Sequence, residues 1–426
     1  MLRYAFSPTK DMDIENLRLA LFNHILSKKR NEELLVRIDD TDKENNIEGK
    51  EKEILEILSL FSIDHSRVLY QSENIKYHTQ MAMKLLLDKK SFNCFCSDEA
   101  LEKDKKIAKR QNKPYSYSGF CETISDETKF NCNAPFVVRL KKPENNIKFT
   151  DQIKGDFEHQ PFEIDSLKIL NHDKSPTPTF TAAVDDMLFD ISTIITEEKN
   201  FLETSRQIHV RESLGYDKQI EQIHLCPILN LTKKNNYSVN SLIEKGYLPA
   251  AIANYVILIG YETSKGIFTI EEIIQDFDIN KIIKIPTSFD IEKLNYINKE
   301  YMKMLDEMRF SKIIGFADED IGKLAKLYIG ECNTTKEIKT KITSIFSEKK
   351  PLKGFEEEFT SLKNCLKSAP FIQDFEQLQK YITDKTTLQG ETLSKVLSFA
   401  LTGSKNEKNL DKIYPLIQNY LGEIIK

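Results

Sequence analysis

Two short apolar strands separated by a helix open this chain, and the second strand runs straight into Arg37-Ile38-Asp39-Asp40-Thr41-Asp42. Leu2–Phe6 reads as the first strand and Leu34–Ile38 as the second. Between them Ile14–Leu26 carries apolar residues at helical spacing, and Lys50–Phe61 repeats that pattern after the second strand. Alternation of this kind points to a parallel sheet, because parallel neighbours need a long crossover and a helix supplies it. A strand that ends in a cation and several carboxylates delivers them to the C-terminal edge of the sheet. In open α/β folds that edge is where ligands bind.

The rest of the chain divides by pattern. From about Phe92 to Asp190 it is irregular, with short strands at Phe136–Leu140 and Ser166–Leu170. An insertion is expected there, followed by a return to the sheet near Ala182–Asp186. After Pro249 helical spacing dominates, at Ala250–Ile259, Ile270–Phe277, Ile291–Met304, Ser311–Phe316 and Ile321–Leu327. Lys349-Lys350-Pro351-Leu352-Lys353-Gly354 reads as a loop or hinge within that half. With 426 residues, the chain is long enough for two to four domains.

No run of 18 apolar residues occurs and the N-terminus lacks a signal-peptide pattern. A cytoplasmic protein with no membrane partner is therefore expected. A formal charge of −5 gives no global attraction to nucleic acid, so any such partner needs lysines gathered on one face. Lys349, Lys350 and Lys353 form the best local basic patch, although a lysine loop is usually just solvated. Seven cysteines, an odd number without small-scaffold spacing, suggest reduced thiols and a metal site rather than a disulfide framework. Cys94, Cys96 and Cys121 with Tyr117 offer three thiols and a phenol. The alternative is four separate loop residues. Cys132, Cys226, Cys332 and Cys365 read as small core residues.

Arg3-Tyr4-Ala5-Phe6-Ser7-Pro8-Thr9, continuing through Ile14-Glu15-Asn16-Leu17-Arg18 to Asn23 and then Arg37–Asp42, resembles the start of bacterial-type glutamyl-tRNA synthetases, which are class I aminoacyl-tRNA synthetases. Collinear resemblances follow. Ser175-Pro176-Thr177 through Ala183-Val184-Asp185-Asp186 is similar to the second-half strand of that family. Gly246-Tyr247-Leu248-Pro249 through Ile252-Ala253-Asn254-Tyr255 is similar to the segment after its mobile catalytic loop. Phe289–Leu294 and Leu401-Thr402-Gly403 are similar to its helical tRNA-binding half.

The resemblance implies an α/β Rossmann-type class I catalytic domain with an inserted acceptor-end domain and an all-α, anticodon-binding C-terminal half. The implied boundaries are 1–92 and 182–248 for the catalytic domain, 93–181 for the insert, 249–310 for a stem-contact domain and 311–426 for the anticodon domain. It also implies ATP and Mg2+, glutamate as substrate, and a glutamate-family tRNA as partner. A monomer with no DNA partner is expected. Cys94, Cys96, Tyr117 and Cys121 resemble the zinc-binding insertion of some members, which makes Zn2+ the implied metal.

Several site positions depart from the family pattern. The His-Ile-Gly-His-like signature falls on Asp13, Ile14, Glu15 and Asn16. Here the acids suit a helix cap better than a phosphate site. The Lys-Met-Ser-Lys-like loop falls on a shorter stretch in which Lys233 and Lys234 are the available cations. Arg3, Ala5, Ser7 and Asp39 match positions around the glutamate substrate, but Arg3 could equally be a structural ion pair with Asp39 or Asp42. The pocket tyrosine falls on Pro178, and an Arg-Gly-Glu-Asp run falls on Thr196-Glu197-Glu198-Lys199. Two readings therefore lead: a glutamate–tRNA ligase, or a catalytically degenerate paralogue that keeps the scaffold and tRNA or partner binding without adenylation. A third, a synthetase-like enzyme acting on another amino acid or modifying a tRNA base, fits the altered pocket but not the altered ATP signature.

Overall fold

The structure is a computed structural model that describes residues 1–231 and 237–426. The chain forms two compact units, Met1–Asn240 with Ala253–Phe289, and Ser241–Ile252 with Asp290–Lys426.

The first unit is built on β1 (Leu2–Phe6), β2 (Leu34–Ile38), β3 (Arg67–Tyr70), β4 (Ser91–Cys94), β5 (Val137–Leu140), β6 (Ile147–Asp151), β7 (Gly155–His159), β8 (Lys168–Leu170), β9 (Thr193–Glu197) and β10 (Glu221–Leu225). Seven of these make one sheet in the order β3-β2-β1-β9-β10-β6-β7. Every pairing in it is parallel except β6 with β7. The central strands read LRYAF and LLVRI, and β2 is buried at every position. That is the expected signature of a parallel strand covered on both faces. β4, β5 and β8 form a separate antiparallel sheet. β6 and β7 lie within residues 93–181 of the chain, yet they extend the edge of the main sheet. A two-stranded pairing of β11 (Ile228–Leu229) and β12 (Thr287–Ser288) completes the strands of the described residues.

Helix α1 (Ile14–Arg30) covers this sheet. Asp13 caps its first turn by accepting from the Asn16 N–H at 2.8 Å. Lys28, Lys29 and Arg30 sit in the last turn, where cations complement the dipole. Asn31 ends it in the left-handed conformation at φ 54°, with its N–H bonded back to the helix. That C-cap lies past the Leu26 expected from apolar spacing, because the last turn is polar and held by capping.

One expectation is overturned. Ala182–Asp186 is not a strand but part of the helix Pro178–Leu188. Its Thr177-Pro178 start is a helix signal, since proline at the first helical position lacks an N–H that would be unpaired anyway. The strand that returns to the sheet is β9, eleven residues later in the chain at its start (Thr193 against Ala182).

In the second unit, the expected helices at Ile291–Met304 and Ile321–Leu327 are present, the latter beginning at Glu319. The helix expected at Ser311–Phe316 instead runs Glu307–Ile313, because the Asp306 cap starts it four residues before the apolar spacing begins to tell. Lys349–Gly354 is irregular. Ile338, Ile342, Leu362, Leu378, Ile382, Val396 and Leu397 are fully buried in one core cluster. Among the described residues, no helix is long and apolar enough to cross a membrane.

Candidate functional site at the β1–β9 switch point

Strand order fixes where a ligand can sit. The chain runs outward from β1 through β2 and β3, then returns to β1's other side with β9 and β10. That reversal leaves a crevice beyond the C-terminal ends of β1 and β9, the switch point of an open α/β sheet. The loop Ser7–Asp13, the acid-rich turn after Arg37, the run Thr196–Lys199 and the segment Cys226–Leu229 all leave the sheet at that edge.

Beneath the crevice lies a buried charge cluster. Arg3 donates to Asp186 through Nε at 2.7 Å and Nη2 at 3.2 Å. Arg37 donates to the same carboxylate through Nη1 at 2.9 Å and to Asp39 through Nε at 2.7 Å. Arg211 approaches Asp186 at 3.9 Å. Burial opposes the charge on Asp186, but Arg3 and Arg37 outweigh it and hold the carboxyl below the usual carboxylate range. Burial likewise disfavours the Arg37 cation, and Asp39 and Asp186 overcome it to raise the guanidinium above its ordinary value. Arg3 therefore pairs with Asp186, not with Asp39 or Asp42. In the sequence Asp186 reads only as part of a strand. The helix that places it was signalled by Pro178.

Among the remaining substrate-pocket candidates, Ala5 lies beside Arg37 in the β1–β2 register, and Ser7 is exposed just past β1. Pro178 is exposed at the first turn of its helix. Thr196 accepts from Asn200 Nδ2 at 2.8 Å. Asp39 is committed to Arg37. Asp40 is committed elsewhere, taking the N–H and hydroxyl of Ser72 at 2.8 and 2.6 Å.

At the start of α1 the acids are engaged in structure. Asp13 accepts from Asn16 N and Nδ2, and from Lys10 Nζ at 2.6 Å. Glu15 accepts the Ile228 N–H at 2.9 Å, tying α1 to the segment after β10. Arg18 donates to the Cys226 carbonyl at 2.5 Å. Across the crevice edge, Glu197 pairs with Lys199 at 2.6 Å. Lys233 and Lys234 lie outside the described residues.

The cysteine cluster comes together. The Cys94, Cys96 and Cys121 sulfurs lie within 4.8 Å of one another. The Tyr117 hydroxyl is 3.4 Å from Cys94 Sγ and 3.5 Å from Cys96 Sγ, and Cys96 Sγ is 3.5 Å from Cys121 Sγ. Four ligands at roughly 2.3 Å from a tetrahedral ion stand about 3.8 Å apart, so these donors fit a zinc ion with little movement. β4 carries Cys94, and the Gly119–Glu122 turn, opened by Gly119 at φ 79°, brings Cys121 to it. Burial pushes the Cys96 thiol up to about 11. The Cys94 thiol is also disfavoured as an anion by burial, yet hydrogen bonds with Tyr117 and Arg139 bring it below its ordinary value.

A cavity of about 1220 Å³ opens elsewhere, at the N-terminal ends of β9 and β10 near Lys148, Arg211 and Tyr216. It faces away from the crevice. Two of its cations are neutralised locally, Lys148 by Glu158 and Lys218 by Asp190.

Fold and crevice together define a doubly wound α/β scaffold with a ligand crevice at its switch point, followed by a helical unit. The family model for tRNA synthetases class I (E and Q), catalytic domain, matches residues 1–296. The chain is 47% identical to glutamate–tRNA ligase 2 of Sulfurimonas denitrificans over 100% of both chains. It is 44% identical to glutamate–tRNA ligase 1 of Campylobacter jejuni, again over 100% of both. In fold it is similar to a glutamate tRNA ligase structure from Elizabethkingia meningosepticum, with TM-score 0.80 and 20% identity, covering 100% of this chain and 98% of that one. This chain belongs to the class I tRNA synthetase family for glutamate and glutamine.

Proposed function

We propose that the chain is a glutamate–tRNA ligase. It activates glutamate with ATP to a glutamyl-adenylate and passes the glutamyl group to the 3′ end of a glutamate-family tRNA in the cytoplasm. The full-length 47% identity to a chain of that name carries this reading. The chemistry is in-line attack of the substrate α-carboxylate on the α-phosphate, helped by fixed charges rather than by a covalent enzyme intermediate. Magnesium would enter with the nucleotide and offset its charge.

Arg3, Ala5, Ser7 and Asp39 are the residues assigned to the amino acid, with Pro178 and Thr196 at the pocket wall. Arg3 holds Asp186 through Nε and Nη2, which leaves Nη1 for a substrate carboxylate. Asp13 and Asn16 stand at the nucleotide end of the crevice, and Lys233 and Lys234 are the assigned phosphate cations. Cys94, Cys96, Tyr117 and Cys121 would hold zinc, which supplies a structural tie and no chemistry. The division at 93–181 into an acceptor-end insert, at 249–310 into a stem-contact domain and at 311–426 into an anticodon domain belongs to the same proposal.

A second reading is favoured by one observation. Asp13 and Glu15 bring carboxylates to the helix end where a phosphate would bind, and both are locked into structural bonds. A carboxylate about 4 Å from a phosphate charge costs on the order of 4 kcal/mol at an effective dielectric near 20. The alternative is a paralogue that keeps the scaffold and tRNA or partner binding without adenylation. Glutamate-dependent ATP–pyrophosphate exchange, run with and without tRNA, separates the two. Exchange in either condition supports the ligase, and silence in both overturns it. Filter retention of tRNA, with its salt slope, then shows whether binding persists.

A further inference from the structure

Lys154 lies in the turn of the β6–β7 hairpin, and its Nζ meets three partners from separate segments. These are the Lys284 carbonyl at 2.9 Å, the Glu198 carboxylate at 3.2 Å and the Cys226 sulfur at 2.8 Å. Cys226 directly follows β10, is 3% exposed, and its carbonyl holds Arg18 of α1. The Lys154 side chain is 15% exposed.

Sulfur is larger than oxygen, and 2.8 Å is the length of an ordinary N–H···O bond rather than of a nitrogen–sulfur contact. Nitrogen and sulfur are held at a separation that one oxygen atom bonded to both would span. We propose that Lys154 and Cys226 form a covalent Nζ–O–Sγ bridge, a redox modification site with molecular oxygen as the oxidant.

The step balances. Sγ–H takes up one dioxygen to give Sγ–O–OH. Burial opposes the Lys154 cation but Cys226 and Glu198 outweigh it, so Nζ first passes a proton to the Glu198 carboxylate 3.2 Å away. The freed lone pair then attacks the oxygen bound to sulfur and the O–O bond breaks. The terminal oxygen leaves as water, carrying its own hydrogen and one from Nζ. Sulfur and nitrogen each lose two electrons and the two oxygen atoms gain four.

The Glu198 and Lys284 contacts hold the amine at the sulfur before reaction, so little chain ordering remains to oppose bond formation. Burial pushes the Cys226 thiol up, which keeps it largely un-ionised, so the bridge accumulates over prolonged aeration rather than in a burst. Once made, it ties the hairpin turn to the segment whose carbonyl anchors Arg18.

The test uses the full chain purified without oxygen and divided into an aerated and an anaerobic half, each digested without reductant. Aeration is expected to give a linked peptide pair joining Lys154 to Cys226, about 14 Da heavier than the two peptides summed, because two hydrogens are lost and one oxygen gained. The anaerobic half should lack it. Lys154→Arg and Cys226→Ser should each abolish it, while the wild-type measurement stands even if a variant folds poorly. Oxygen adducts on Cys226 with no linked pair would overturn the proposal. So would a linked pair about 2 Da lighter than the sum, which denotes a direct N–S bond.

Discussion

Asp186 is the residue on which the first unit's charge balance turns. It is 1% exposed and faces Arg3, Arg37 and Arg211. Removing one member of a buried ion pair strands the others, at a cost of about 3–5 kcal/mol. Asp186→Asn should therefore lower stability by about that much in urea unfolding, and by more than Asp40→Asn, whose partners are the Ser72 N–H and hydroxyl. Because its folded pKa lies below that of the unfolded chain, the stability Asp186 provides is complete above the ordinary carboxylate range. It is lost as pH falls through the depressed folded value. Histidines set an earlier acid limit. Burial holds the imidazoles of His24 and His209 below the ordinary histidine range. The unfolded chain takes up those protons near pH 6.5 and the folded chain does so only at lower pH, so stability falls as pH drops below about 6.5. Urea midpoints should be lower at about pH 5.5 than at about pH 7.5, and His209→Asn should flatten that fall.

At the scale of elements, α1 shows what sequence could and could not tell. Its existence, its Asp13 cap and its place after β1 were legible, because a cap residue and helical apolar spacing are local signals. β2 and the acid turn were legible for the same reason. Within the helix Pro178–Leu188, Ala182–Asp186 reads as a strand because Ala182-Ala183-Val184 is apolar without interruption, and a short apolar run fits either element. The partners of Arg3 were illegible, since Asp186 lies 183 positions away in the chain. So was the meeting of Lys154 with Cys226, which are 72 positions apart. Asp13→Asn separates the cap from the charge, because asparagine caps as well as aspartate does. If the ligase reading holds, this change should leave the melting temperature nearly unmoved and lower the KM for ATP about tenfold in pyrophosphate exchange; an unchanged KM would show that Asp13 never faces phosphate. In the second unit, Gly322 lets two helices approach closely. A Cβ there would stand 1.9 Å from the Glu307 carbonyl oxygen. Gly322→Ala should cost about 3 kcal/mol or more, read as a drop in thermal midpoint.

For the whole molecule, the cysteine cluster is the feature that composition announced and geometry refined. An odd set of thiols suggested a metal, and the fold brings the three sulfurs within 4.8 Å of one another, with the Tyr117 oxygen 3.4 and 3.5 Å from two of them. Protein made in zinc-supplemented medium should carry about one zinc per chain, and Cys121→Ser should lose it. A chelator should lower the wild-type melting temperature and leave that variant unmoved. Metal-free wild type with an unchanged melting curve would refute the assignment.

The sheet order has one more effect, on how the chain is made. β1 sits mid-sheet, yet the strand that covers its second side begins only at Thr193. At synthesis rates of about 5–20 residues per second, the emerging β1–β2–β3 piece waits on the order of ten seconds or more with an apolar edge uncovered. The nascent chain is thus most exposed to mispairing and to chaperones before its midpoint has left the ribosome, because β1, an interior strand of the finished sheet, keeps one side open until β9 is made.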